Sequence, residues 1–423
     1  MKVFKFGGAS VKDANAVKNV AGILNRFNGE PLIVVFSAMG KTTNALEQLC
    51  DAFYYKNGNA AEILEGIRKF HFNILEELFA DKNHPVFTEI HNTFVELEWA
   101  IEEDPTHSYD CEYDQIVSIG EVLSSKIVSA YLREANIKNK WFDIRDFIKT
   151  DNSYREGKVD WQLTEQMISE ELIPFLKSGN EQIIITQGFI GVTSENFTTT
   201  LGREGSDFTA AILAWCLNAE SVTIWKDVPG VLNADPKWFD ETKLIPQLTY
   251  QDAIELTYYG ATVIHPKTIK PLQNKKIPLF VRSFLDPAKE GTKIHEQQVH
   301  LPVPCFIFKV DQVLLSISPK DFSFIVEENL GGIFELFAKH RVKMNVMLNS
   351  AISFSVSVDN DAVKLPALIE QLGENYRVLY NENAELVTIR YYDQATIDRV
   401  TEGKQIFLEV KSRYTVQIVM KNN

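Results

Sequence analysis

Lys5-Phe6-Gly7-Gly8-Ala9-Ser10 is the stretch that decides how this chain is read. Val3 and Phe4 ahead of it read as the end of a buried strand. Val17, Val20 and Leu24 recur at helical spacing from about Asp13 onward. A strand therefore runs into a glycine turn that opens onto a helix N-terminus. Such a turn exposes backbone N–H groups, and the helix dipole adds roughly half a positive charge. Two glycines let the backbone approach a bulky anion closely, and Lys5 at the strand's end can reach the same anion. The pattern reads as a phosphate cradle. Taken alone, the same six residues also suit a tight βα turn carrying a surface lysine.

Composition narrows the class of protein. At 423 residues, about one domain per 150 residues gives two or three domains, each able to bury a core. The 45% hydrophobic and 24% charged content is that of an ordinary globular chain. Its 43 Lys and Arg against 57 Asp and Glu leave a net charge of −14. That field repels nucleic acid and anionic membranes, so neither is expected as a partner, and an anionic substrate must be held by a few local cations and N–H groups. Cys50, Cys111, Cys216 and Cys305 lie far apart with no metal-ligand spacing, and no dedicated protein metal site is expected. They read as reduced thiols. No apolar run reaches the roughly 18 residues of a membrane span, and Met1-Lys2 leads straight into a strand, so the expectation is a cytoplasmic protein.

Residues 1–295 alternate strand-like and helix-like segments, which predicts an α/β domain with a mainly parallel sheet. Strands are expected at Val3–Phe6, Leu32–Ser37, Gln182–Gln187, Val222–Trp225 and Leu279–Val281. Residues 44–135 carry helical patterning instead, read as an inserted lobe able to cap a cleft. Prolines and glycines mark a break at 286–304. Beyond it, residues 305–380 predict a βαββαβ unit, and 384–423 a short second α+β unit. Such a tail reads as a regulatory region; a second folding or dimerisation domain is the alternative.

Three further segments carry chemistry. Gly40-Lys41-Thr42-Thr43 is not a P-loop, because Val35 stands where that pattern needs its first glycine. Ser37-Ala38-Met39-Gly40 still follows a buried strand and suits a second anion-facing turn at the sheet's C-terminal edge. Thr200-Leu201-Gly202-Arg203-Glu204-Gly205-Ser206-Asp207 precedes an apolar helix, and Arg203 can grip a carboxylate or phosphate with two parallel hydrogen bonds. Asp207 suits either a site or a helix cap. Trp225-Lys226-Asp227-Val228-Pro229-Gly230-Val231 and Asp235-Pro236-Lys237 form shaped turns past another strand. His265, before a proline, reads as satisfying local backbone groups rather than as catalytic.

Six motifs taken together resemble the aspartate kinases, in the monofunctional form with C-terminal ACT domains, within the amino-acid kinase family. They are KFGGAS at 5–10, FSAMGKTTN at 36–44, SIGE at 118–121, TTTLGREGSDFTAA at 198–211, WKDVPGV at 225–231 and ELTYYGATVIHPKTI at 255–269. The resemblance implies the amino-acid kinase fold, an open αβα sandwich, followed by an ACT-like regulatory tail. It implies ATP and Mg²⁺ as cofactors, phosphorylation of the β-carboxylate of L-aspartate to 4-phospho-L-aspartate on the way to lysine, threonine and methionine, and a homodimer assembled through the ACT units. It makes Lys5 and Asp207 catalytic. Arg203 would bind the substrate α-carboxylate and Glu121 its ammonium group, with Ser37, Thr43 and Ser206 around it. Lys5, Gly7, Gly8, Ser10, Lys226, Asp227, Lys237 and Lys267 would line the nucleotide site.

Departures from the pattern stand at Glu204, where a glycine is common, at Leu232, where many relatives have tyrosine, and at Thr262, where many have lysine. Lys267 is expected to replace the charge absent at Thr262, and Glu204 to point away from the substrate. In lysine- or threonine-inhibited relatives an Asp and a Glu flank the effector; here Asn345 and Ala351 stand at those positions. Two alternatives stay open: a family member acting on another carboxylate, and a catalytically silent amino-acid sensor.

Overall fold

The computed structural model describes residues 1–178, 183–239, 241–261, 264–297, 303–321 and 323–422. The chain forms two units, one of Met1–Val231, Pro246–Ile254 and Val263–Val299, the other of Leu232–Ile245, Glu255–Thr262 and His300–Asn423.

The first unit begins with β1 (Lys2–Phe6), α1 (Ala14–Asn25) and β2 (Leu32–Phe36). Helices α2 (Thr42–Tyr55), α3 (Ala60–Leu78), α4 (Pro85–Glu102), α5 (Tyr109–Val117) and α6 (Ile119–Glu134) follow. Next come β3 (Asn139–Trp141), α7 (Trp161–Lys177), β4 (Ile183–Gln187), the small hairpin β5 (Ile190–Val192) and β6 (Thr198–Thr200), α8 (Gly205–Cys216) and β7 (Ser221–Lys226). The sheet is completed by β8 (Gln247–Thr249), β9 (Leu279–Ser283) and β10 (Thr292–His295), interspersed with α10 (Pro266–Asn274) and with α9 (Tyr250–Tyr259), whose residues from Glu255 onward belong to the second unit.

Among the described residues eight strands form one sheet in the order β3-β4-β2-β1-β7-β9-β10-β8, and its neighbours pair in parallel except β9 with β10. The central strands are apolar on both faces because helices cover both: all five residues of Leu32–Phe36 are buried. The five expected strands are present, the third of them described from Ile183 because Gln182 lies outside the described residues. β3, β8 and β10 join them, short strands whose polar residues hid their sheet role.

Phe36, Phe6 and Trp225 stand opposite one another in register, with Phe6 stacked on both neighbours at 5.6 and 5.7 Å. Each such fully buried ring contributes about 1.5–3 kcal/mol. The residue after each ring, Ser37, Gly7 and Lys226, falls at the C-terminal edge of the sheet. The helices of 42–134 do not form a separable lobe. Leu46, Ile67, Phe94 and Leu123 share one core with Phe4, Phe6 and Phe36.

The second unit holds β11 (Cys305–Pro319), α11 (Glu327–Lys339), β12 (Met344–Asn349), β13 (Phe354–Asp359), α12 (Lys364–Asn375), β14 (Tyr376–Arg390), α13 (Gln394–Thr401), β15 (Lys404–Lys411) and β16 (Thr415–Asn422). Its six strands form one antiparallel sheet, β12-β13-β11-β14-β16-β15. This corrects the expected break between two strands at Tyr376–Tyr380 and Leu386–Tyr391. β14 runs through it and pairs with β11 from Cys305 opposite Arg390 to Pro319 opposite Tyr376. The break misleads because Asn381-Glu382-Asn383 has turn composition, whereas the structure uses it for an irregularity, with left-handed Asn383 and Asp311 on the two strands. The C-terminal strands are therefore extended by Cys305–Lys309 rather than standing alone. α11 and α12 pack on Val313, Leu315, Ile317, Phe354 and Val356, while α13 packs Ile397 and Val400 on Val387, Ile389, Val416 and Ile418.

Candidate active site

The turn after β1 is shaped by close backbone approach. A Cβ on Gly8 would lie 2.7 Å from the Ala38 carbonyl and 2.8 Å from that of Gly40, and Gly40 N–H donates to Gly8 O at 3.1 Å. Only glycine lets the turns after β1 and β2 lie side by side. The turn does not open directly onto α1, as expected from its sequence. It forms a 3₁₀ turn at Gly8–Val11, and α1 starts separately with Asp13 as its cap. Ser10 is buried, and its hydroxyl donates to Gly7 O at 2.5 Å. It helps to shape the turn.

Beside these turns lies a cavity of about 630 Å³ lined by residues of β1, α2, α5, α6, β7 and the α8 turn. Lys5 Nζ stands 2.7 Å from Oδ1 of Asp207, a carboxylate 2% exposed, and Lys226 Nζ is 4.0 Å from its other oxygen. The start of α8 is held in place by contact: a Cβ on Gly188 would sit 2.4 Å from Ser206 Cβ. Glu121, 3% exposed in the first turn of α6, accepts from Ala38 N–H at 3.3 Å with Oε1, and its Oε2 has no hydrogen-bond partner. Burial pushes its carboxyl up to about 8, outweighing the Ala38 N–H and the positive charge of Lys5. A buried carboxylate with one orphaned oxygen is a site built for a donor or a cation.

Lys5, Ser37, Thr43, Glu121, Arg203, Ser206, Asp207 and Lys226 all line this cavity. Gly7, Gly8, Asp227 and Lys267 do not. Asp227 is exposed just past β7. Lys267 Nζ lies 3.8 Å from Glu156 and lines a separate groove with Trp161, Phe208 and Trp215. Lys237 and Leu232 belong to the second unit, where Lys237 N–H donates to Asp235. Thr262 lies outside the described residues. Glu204 does turn its carboxylate to a protein partner, accepting from His265 N–H at 3.0 Å. His265 caps α10 through its ring, as expected of a residue serving local backbone.

Sequence reading missed Glu47, Tyr113, Arg155 and Glu156, which also line the cavity. The Arg155 guanidinium stacks 4.2 Å over the Tyr113 ring. Buried Asp114 holds this wall together, accepting from Arg155 N–H, Thr200 N–H and the Thr200 hydroxyl at 2.9, 2.8 and 2.7 Å. Its partners lie 41 and 86 residues away, and no local pattern signals such an approach.

Residues 1–283 match the amino acid kinase family. Among relatives, the lysine-sensitive aspartokinase 3 of Escherichia coli (strain K12) is 31% identical over 419 residues, 96% of this chain and 90% of that one. An aspartokinase of Chlamydia trachomatis is 35% identical over 292 residues, 69% of this chain and 64% of that one. The chain spans only 32% of a bifunctional aspartokinase/homoserine dehydrogenase of Arabidopsis thaliana. Crystal structures of E. coli aspartokinase III with aspartate and ADP, and with lysine and aspartate, superpose with TM-scores of 0.81 and 0.82 at 28% identity, covering 100% and 99% of this chain and 96% and 95% of theirs. The fold and the cavity define a small-molecule kinase of the open α/β type, and the chain belongs to the amino acid kinase family. Within that family its full-length similarity is to the aspartokinases.

Proposed function

We propose that this cavity transfers the γ-phosphoryl group of ATP to the β-carboxylate of L-aspartate. The observation that carries the reading is the placing of Lys5 on buried Asp207 in the same cavity as Arg203 and the half-orphaned Glu121. A carboxylate acceptor is already ionised at neutral pH, so no general base is required, and catalysis consists of positioning and charge neutralisation. Arg203 grips the α-carboxylate with its planar fork. Glu121 takes the ammonium group, and Ser37, Thr43 and Ser206 hydrogen-bond around the substrate. Lys5, oriented by Asp207, neutralises charge building on the transferring phosphoryl, with Lys226 as a second cation beside it. The glycine turn at Gly7 and Gly8 supplies N–H groups to the nucleotide, and Asp227 borders its site.

Among the described residues no cluster of three His, Cys, Asp or Glu could hold a metal. The donor set fits Mg²⁺ carried mainly by nucleotide phosphates, with Asp207 the carboxylate through which the protein bears on it. Mg²⁺ would supply charge neutralisation between the phosphates. The four buried thiols suit a reducing compartment, which supports placing the protein in the cytoplasm. We assign the second unit an ACT-like regulatory role. Its edge strand β12, with exposed Met347 and Leu348, supports pairing of two such units in a homodimer.

The test is ADP release with L-aspartate, L-glutamate and N-acetyl-L-glutamate as acceptors. Turnover with L-aspartate alone is expected; none with L-aspartate, or faster turnover with either alternative, would overturn the assignment.

A further inference from the structure

Glu204 occupies the N-cap of α8 with φ 54° and ψ 30°, a left-handed conformation that strains any residue with a Cβ and leaves glycine unstrained. Gly202 and Gly205 flank it at short distance, so the turn already holds the residues that make it sharp. The side chain at 204 therefore needs another reason. It lines the cavity, yet its carboxylate is not paired with the guanidinium next to it. Among the described residues Arg203 makes no ion pair. Instead Glu204 Oε2 accepts from His265 N–H at 3.0 Å, across 61 residues of chain. His265 is the N-cap of α10, whose first helical residue, Pro266, has no N–H to offer. One carboxylate thus fastens the turn bearing Arg203, Ser206 and Asp207 to the start of α10.

We infer that Glu204 is a positioning residue for the phosphoryl acceptor. Its bond to His265 fixes the strained turn so that Arg203 projects unpaired toward the substrate's carboxylate. The same bond keeps the Glu204 charge from closing on Arg203 or facing the substrate. The inference rests on the reading of Arg203 as the residue that grips aspartate. Glu204 does not touch the transferring group, so its loss acts on acceptor binding more than on turnover.

Three variants test this, each checked for folding by thermal melting and for both substrates' kinetics. Glu204→Ala removes the acceptor and retains the strain; it should raise the KM for aspartate about tenfold, with kcat within about threefold and the KM for ATP within about twofold. Glu204→Gln keeps a carbonyl oxygen for the His265 N–H and should restore the aspartate KM to within about threefold. Glu204→Gly fits the backbone without strain, so it is the variant to read should alanine not fold, and it too should raise the aspartate KM. An aspartate KM within twofold of the parent in folded Ala or Gly variants would overturn the inference. So would a Gln variant as impaired as Ala, or equal rises in both KM values. Arg203→Lys, run alongside, separates the two claims. If it leaves the aspartate KM unchanged, the Arg203 reading fails; if it raises KM while the Glu204 variants do not, only this inference fails.

Discussion

The position of Lys5, on which its proposed role depends, is set by strand register and by one ion pair. It sits one residue before Phe6, whose ring is stacked in register between Phe36 and Trp225, so the backbone beneath it is fixed. Asp207 then holds its ammonium at 2.7 Å. A preorganised cation of this kind acts on the transition state without reorganisation. Lys5→Ala should leave the protein folded and lower kcat by two to three orders of magnitude, about 2.7–4 kcal/mol. Turnover within about threefold of the parent would remove Lys5 from the mechanism. Glu121 yields a pH prediction. With its carboxyl raised to about 8 by burial, the free enzyme at pH 7 is mostly protonated there, while the substrate's ammonium group needs the ionised form. The kcat/KM for aspartate should therefore rise with pH from 6.5 and level off above about 8. Glu121→Gln should give a lower, flat profile; a parental profile that is flat or falls over this range would contradict the assignment.

At the scale of elements, the helices of 42–134 owe their cohesion to a core shared with the sheet, and His71 in α3 lies inside it. It is fully buried, its Nδ1 is 2.8 Å from the Ile67 carbonyl and its Nε2 is 3.5 Å from the Thr42 hydroxyl. Burial pushes its imidazole down to about 4. In the unfolded chain histidine titrates near 6.5. Between those values the unfolded chain takes up a proton that the folded one refuses, so stability is lost as pH falls from about 6.5 toward 4. A gap of about 2.5 units corresponds to about 3 kcal/mol. Urea unfolding should show His71→Gln losing less stability than the parent between pH 7 and pH 4.5, and identical losses would exclude His71 as the cause. Elements differ in how well sequence announces them. β1, β2 and α1 were legible because hydrophobic periodicity and glycines are local signals. The continuity of β14 was not, since an Asn-Glu-Asn stretch obeys turn statistics until β11 pairs beside it. The cavity divides in the same way. Lys5, Ser37, Arg203 and Asp207 lie within contiguous motifs. Arg155 and Glu156 reach it because Asp114 and the Gly157 N–H both tie their loop to Thr200, contacts set by the fold rather than by spacing.

At the scale of the whole molecule, the question is whether the second unit answers to an amino acid at all. A relative of similar length is named as lysine-sensitive, and aspartokinase III of E. coli has been crystallised with lysine. In this chain Asn345 stands where the resemblance places an acidic residue for a cationic effector, and the structure shows how that position is used. Asn345 Oδ1 accepts from Lys309 Nζ at 2.7 Å, and its Nδ2 donates to Gln312 and Asp359 at 2.8 and 2.9 Å. Asp359, the nearby carboxylate, also accepts from Gln312 at 2.7 Å and lies 4.0 Å from Lys309. Where the resemblance would place an incoming ammonium, the protein supplies the Lys309 ammonium instead. A lysine effector would have to displace Lys309 and expose a like charge, losing charge-assisted hydrogen bonds of about 1.5–3 kcal/mol each, or roughly 10- to 150-fold in affinity. L-Lysine should therefore inhibit weakly or not at all at millimolar concentration, and L-threonine, whose ammonium meets the same Lys309, should behave alike. Lys309→Ala together with Asn345→Asp should create or strengthen inhibition by lysine, because the double change vacates the cation and adds the carboxylate. Titrating both amino acids into the ADP-release assay decides it: half-inhibition of the parent below about a tenth of a millimolar by either would show that Lys309 does not guard the site.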